Sequence, residues 1–216
     1  MKMTFKNIDG IRVTAALVNA IQKNKAYLSE IDGAIGDGDH GINMNKGFTM
    51  YAGKFAGKEV DFTTELKNLG RTLLGDIGGS MGPLYGSFFI EMSKQTKGFE
   101  EIDRVVFGNM LEAAAKGIKE LGNAQVGDKT LIDTLDPAVS AYKAAIEKDS
   151  SFVNALSDMK AAAVKGRDST IDLVARIGRA SRLGERSRGI LDAGATSCCL
   201  ILCTMADEVI KLLKEE

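Results

Sequence analysis

Apolar residues recur every three to four positions along most of this chain, and alternation of apolar and polar residues is essentially absent. That period restricts the chain to helix packing, because a half-buried strand needs a period of two. Ile11, Val13, Ala16, Leu17 and Ile21 predict a first helix with Asp9 as its cap. A second begins near Asn43 and reaches about Lys54, and a third spans Thr63 to Asp76 with Leu66, Leu69, Leu73 and Leu74 on one face. A fourth opens at Ser80 to Pro83, its proline in the first turn where the missing N–H costs nothing. A fifth covers Asp103 to Leu121, closed by Gly122. In the sixth, Leu131 to Ile146, Pro137 either kinks the helix or marks its true start after Asp136. Ser151 to Ile177 reads as helix with a break or strain near Gly166, and the last helix runs from about Gly194 to Leu213. No linker, repeat or low-complexity tract interrupts the series, so residues 1–216 read as one all-α domain of about eight helices.

Charge removes some functions. Lys+Arg 28 against Asp+Glu 29 gives a net charge of -1, which argues against a broad electrostatic footprint on nucleic acid. Cys198, Cys199 and Cys203 are odd in number and fall in one apolar run, so a disulfide framework is ruled out and a cytosolic, reduced protein is expected. Cys199 and Cys203 share a helix face, but no further ligand completes a soft-metal site, and all three read as small buried hydrophobes. The stretch Met1 to Lys6 lacks the apolar segment of a signal peptide. No run approaches the ~18 apolar residues that read as a membrane span.

Glycine is over-represented while proline numbers only 2, so the glycines are not a disordered linker. They gather in four places, Gly33 to Gly41, Gly75 to Gly86, Gly122 to Gly127 and Gly178 to Gly194, which points to four loops converging on one ligand. The first holds Asp32, Asp37 and Asp39 within eight residues, with no basic residue among them. Carboxylates so close repel, and a hard cation such as Mg²⁺ relieves the repulsion; turn and capping roles are the alternative. An EF-hand is excluded, because counting from Asp37 puts Gly41 fifth and Phe48 twelfth. His40, the one histidine, follows the carboxylates at a helix start, where free N–H groups attract phosphate. Contact with phosphate or ribose is favoured for it over accepting a phosphoryl group.

Gly78 to Pro83 also opens a helix and offers backbone donors and the Ser80 hydroxyl to an anion; a close helix crossing needs the same small residues. Gly122 to Thr130 nearly spells a P-loop, but Asp128 intrudes before Lys129 and a helix precedes instead of a strand, so the P-loop is rejected. Lys129 and Thr130 stay as site or capping residues. Arg179, Arg182, Arg186 and Arg188 concentrate cations whose planar forks suit phosphate oxygens.

Taken in order, Ile35-Gly36-Asp37-Gly38-Asp39-His40-Gly41, the Gly78 to Pro83 loop, Gly127-Asp128-Lys129-Thr130, and Gly178-Arg179-Ala180-Ser181 with Leu183 to Ser187 resemble the L subunit of dihydroxyacetone kinase. The likeness covers nearly the whole chain. It implies a barrel of eight antiparallel helices with ADP or ATP at one end. It implies that Asp32, Asp37 and Asp39 hold two Mg²⁺ ions on the nucleotide phosphates. It implies a nucleotide lining of His40, Gly41, Ile42, Asn43, Ser80, Met81, Gly122, Leu131, Arg179, Asp192, Ala193 and Gly194, with Arg179 and His40 nearest the chemistry.

In the phosphotransferase-dependent members, a phosphohistidine M subunit rephosphorylates bound ADP, and the phosphoryl group passes to dihydroxyacetone held on a K subunit. The present chain offers no obvious nucleophile for a ketone, consistent with substrate on a partner. Arg182 stands where the family has an aromatic residue, Ala193 where it has proline, and Arg188 at a usually apolar place. These departures bear on the cap, the partner surface and the sugar, so a related keto-sugar or polyol is an alternative substrate. A nucleotide-loaded regulatory module that docks to a transcription regulator is the competitor from another class. The nucleotide domain of a fatty-acid kinase, which carries extra domains, ranks behind both.

Overall fold

The computed structural model describes residues 2–55, 58 and 60–215. Among them, nine α-helices account for most of the chain: α1 (Ile11–Lys23), α2 (Lys25–Ile35), α3 (His40–Phe55), α4 (Phe62–Asp76), α5 (Met81–Thr96), α6 (Arg104–Gly122), α7 (Ile132–Glu147), α8 (Phe152–Ser169) and α9 (Ala193–Lys214). The packing order α1–α3–α4–α5–α6–α7–α8–α9 returns to α1 and closes a ring of eight. Arg12 near the start of α1 pairs with Glu208 and Glu215 near the end of α9, so these two neighbours are antiparallel and the ring alternates throughout. Helix α2 stands outside the ring, packed on α3 and α9.

Side chains of the ring meet in one apolar core. Away from the glycine loops it is plugged by aromatic rings: Phe5 on Phe62, centroids 5.9 Å apart, and Phe107 on Phe152 at 5.5 Å. Edge-to-face pairs of this kind add ~0.5–1.5 kcal/mol each beyond burial. Asp61, Asp103, Ser151 and Asp192 cap α4, α6, α8 and α9 by accepting first-turn N–H groups. No described helix is long and apolar enough to cross a membrane.

The structure corrects several expectations. Asp9 is not a cap; it lies in a 3₁₀ turn, Asn7–Gly10, and Gly10 holds the cap position of α1. Helix α2 was not expected, although Leu28, Ile31 and Ile35 form its buried stripe. Its last turn carries Asp32, so that aspartate is helical rather than part of the loop. Gly122 is the last residue of α6, and Asn123 makes the left-handed turn with φ 49°.

Pro137 does not start α7, which runs through it from Ile132. Gly166 does not interrupt α8, which however ends at Ser169 instead of reaching Ile177. A Cβ at Gly166 would lie 2.2 Å from the Asp133 carbonyl oxygen, so glycine lets α8 press onto α7 at the carbonyl whose i+4 donor Pro137 removes. Strand pairing is not wholly absent: β1 (Thr4–Lys6) and β2 (Glu101–Asp103) pair antiparallel with Phe5 opposite Ile102.

Candidate metal and phosphate site

Alternation of the ring sends the N-termini of α3, α5, α7 and α9 to the same end. Their first residues or caps, His40, Ser80, Leu131 and Asp192, all line one cavity of about 520 Å³. Four positive helix ends around one space make an anion site. The four glycine-rich loops do converge there, contributing Gly36 from the first, Ser80 and Met81 from the second, Gly122 from the third, and Gly178 and Gly194 from the fourth. Apolar walls from Met81, Leu84, Ile118, Leu121 and Ile177 make the rest of the cavity suited to a flat ring.

Asp32, Asp37 and Asp39 meet at its edge. One ligand oxygen from each lies within 4.8 Å of the others, which is a donor set for a hard divalent cation. Arg179, brought from a distant loop, pairs with Asp37, so the carboxylates do have a basic neighbour that their local sequence lacks. The pair is well exposed and therefore worth little. Among the four arginines only Arg179 lines the cavity; Arg188 instead pairs with Glu185.

His40 is 8% exposed, and burial pushes its pKa down to about 4 against the pull of Asp32. It is therefore neutral at physiological pH. Its Nε2 lies 2.8 Å from Ser197 Oγ, which lies 2.6 Å from the Tyr85 hydroxyl. Its backbone N–H donates to Asp32 at 3.3 Å. Tyr85 and Ser197 escaped the sequence reading; the signal was their spacing, one helical turn after Met81 and Gly194.

Gly41, Ile42 and Asn43 do not line the cavity. A Cβ on Gly41 would sit 2.1 Å from the Lys25 carbonyl, so this glycine serves the crossing of α3 over α2. Ile42 is exposed, and the Asn43 N–H donates to the Asp39 carbonyl. The Gly78 to Pro83 loop divides between its two readings. Gly78 and Gly79 face open space, while a Cβ on Gly82 would meet the Ile77 carbonyl at 2.5 Å.

Asp192 lines the cavity and accepts the Ala195 N–H. Burial pushes its carboxyl up to about 7, the Ala195 N–H opposing and Asp133 adding to the rise. A folded-state value above the unfolded one favours the folded state at low pH. This contribution is complete below about pH 4 and is lost as pH rises through 7. Urea unfolding of ligand-free protein should show stability falling by up to ~4 kcal/mol from this group across that window, and Asp192→Asn should flatten the fall.

The DAK2 domain family pattern covers residues 34–207 of the chain. The chain belongs to the dihydroxyacetone kinase L-subunit family. It is 42% identical over 186 residues to the PEP-dependent dihydroxyacetone kinase 1, ADP-binding subunit DhaL of Listeria innocua, covering 86% of this chain and 88% of that one. Against the corresponding PEP-dependent subunit of Escherichia coli it is 40% identical over 183 residues, covering 83% and 86%. The fold is that of the dihydroxyacetone kinase of C. freundii, at TM-score 0.70 and 21% identity over 96% of this chain. The L-subunit chain spans about a third of that longer protein, whose structure in complex with AMP-PNP and Mg2+ matches at TM-score 0.66 and 22% identity over 93% of this chain.

Proposed function

We propose that this chain is the ADP- and magnesium-carrying subunit of a phosphotransferase-dependent dihydroxyacetone kinase, working in the cytoplasm with a K and an M subunit. One observation carries this: three carboxylates, four helix N-termini and Arg179 surround a single cavity. The residues fit the group. Asp32, Asp37 and Asp39 would hold two Mg²⁺, and the open N–H groups near Ser80, Met81 and Gly194 would face phosphate. Gly122, Leu131 and the apolar wall would face the base and sugar. Neutral His40 can donate one N–H without repelling Mg²⁺.

When bound, ADP would supply the phosphoryl acceptor and donor between a phosphohistidine M subunit and dihydroxyacetone on a K subunit. This chain's share is then positioning and charge neutralisation, the main demands of phosphoryl transfer. Arg179 sits on a surface segment and can leave Asp37 for developing negative charge at small cost. The named relatives that are ADP-binding subunits support this reading.

Phosphorus NMR of freshly purified protein tests it. ADP should co-purify at close to one equivalent and convert to ATP when phosphorylated M subunit is added. A protein that binds no nucleotide in the presence of magnesium would overturn the reading. A nucleotide that never changes phosphorylation state would point instead to a regulatory module.

A further inference from the structure

The motif Gly127-Asp128-Lys129-Thr130 resembles a phosphate-binding loop in sequence but does something else in space. Lys129 is 1% exposed, and its ammonium donates to three backbone carbonyls: Thr170 at 2.6 Å, Leu173 at 3.2 Å and Ile190 at 2.5 Å. An ammonium has three protons. All three are engaged, so none is left for a phosphate.

The three acceptors have a common meaning. Thr170 is the C-cap of α8, Leu173 follows it, and Ile190 precedes α9. Between them runs the segment 171–191, which carries Arg179 to the mouth of the cavity. One ammonium thus draws both ends of that segment to a single point. Inside, the segment is stitched by Gly189 N–H to the Ile171 carbonyl at 2.7 Å and by Ala175 N–H to Ser187 Oγ at 2.9 Å. Asp128 adds a second tie to the barrel: its carbonyl accepts the Arg176 N–H at 3.1 Å.

The loop that presents Lys129 is itself built for the purpose. Asp133 accepts the Gly127 N–H at 2.6 Å and the Thr130 N–H at 2.7 Å, folding the loop over the start of α7. Lys129 takes φ 64°, a left-handed conformation that a side chain rarely adopts. Strain and burial are both accepted here to put one cation under the segment. Burial lowers the pKa of Lys129, while the carboxylates of Asp192, Asp133 and Asp172 pull it back up and Arg188 adds to the lowering.

We propose that Lys129 is a positioning residue: it clasps segment 171–191 against the barrel so that Arg179 is held over the phosphates. This rests on the nucleotide site proposed above. Lys129 lines the cavity, but its ammonium is turned to the three carbonyls, so it acts through the segment and Arg179.

Lys129→Met keeps the length of the side chain and removes all three donors. Hydrogen exchange on nucleotide-free protein should show amides in 171–191 opening ~10- to 100-fold more readily, with the ring helices unchanged. With Mg²⁺ and ADP added, ADP should dissociate ~10- to 100-fold faster. Arg179→Ala added to Lys129→Met should then cost far less than it costs alone, because the arginine is already displaced. Lys129→Arg should not restore the clasp, since a planar fork cannot aim three donors at one cluster of carbonyls.

Unchanged exchange in the segment would overturn the proposal, and so would fully additive effects of the two substitutions. If both Lys129→Met and Lys129→Gln fail to fold, Lys129 is a purely structural residue and the positioning role falls. The exchange measurement needs no nucleotide, so its failure is distinct from failure of the proposed function.

Discussion

Asp37→Asn is expected to cut the affinity for magnesium-ADP by at least ~100-fold, beyond the ~10- to 100-fold typical of losing a residue that only orients a metal ligand. Asp37 is the most exposed of the three carboxylates. It accepts no capping N–H among the described residues, and its ion pair with Arg179 is open to solvent. Its removal therefore leaves the helical ring untouched and takes away one negative charge facing two others. In ligand-free protein the melting temperature should stay the same or rise slightly, because like charges within 4.8 Å repel. Isothermal titration with magnesium and ADP, beside circular dichroism on the same sample, separates the two effects. Undiminished affinity would remove Asp37 from the metal site.

Arg179→Ala is expected to fall mainly on turnover. An arginine that meets transferring phosphate only as charge develops is worth ~10³-fold or more in rate. Resting affinity should drop less, since the ground-state partner of Arg179 is an exposed carboxylate whose pairing is weak. Single-turnover transfer from phosphorylated M subunit to bound ADP, with the ADP dissociation constant measured separately, checks the split. Arg179→Lys should recover part of the rate, because it keeps the charge and loses the fork. Equal losses in binding and in rate would instead make Arg179 an ordinary ground-state ligand.

Much of the helical content was legible because apolar spacing and capping residues act locally. The stripe Leu66, Leu69, Leu73 yields α4 within one residue of its expected bounds, although Leu74, expected on the same face, is exposed. Helix α2 was hidden because its polar turn runs into the aspartate loop and its stripe is only three residues long. The aspartates were legible as a cluster because they lie within eight residues of one another, and the fold brings one oxygen of each within 4.8 Å of the others. Gly41 misled. It stands beside His40 in sequence, yet its missing side chain is required by the Lys25 carbonyl on another helix.

Local spacing in the chain was enough to show that it is helical, where most helices begin and end, and which loop concentrates carboxylates, since all of these depend on residues a few positions apart. Long-range packing was needed to close eight helices into a ring, to gather four of their positive ends around one cavity, and to bring Arg179 to Asp37. It also decided that Lys129 spends its protons on a distant segment rather than on phosphate. The reason is range. Backbone hydrogen bonds and side-chain periodicity are written within a turn or two, whereas the direction of a buried cation is set by carbonyls more than forty residues away.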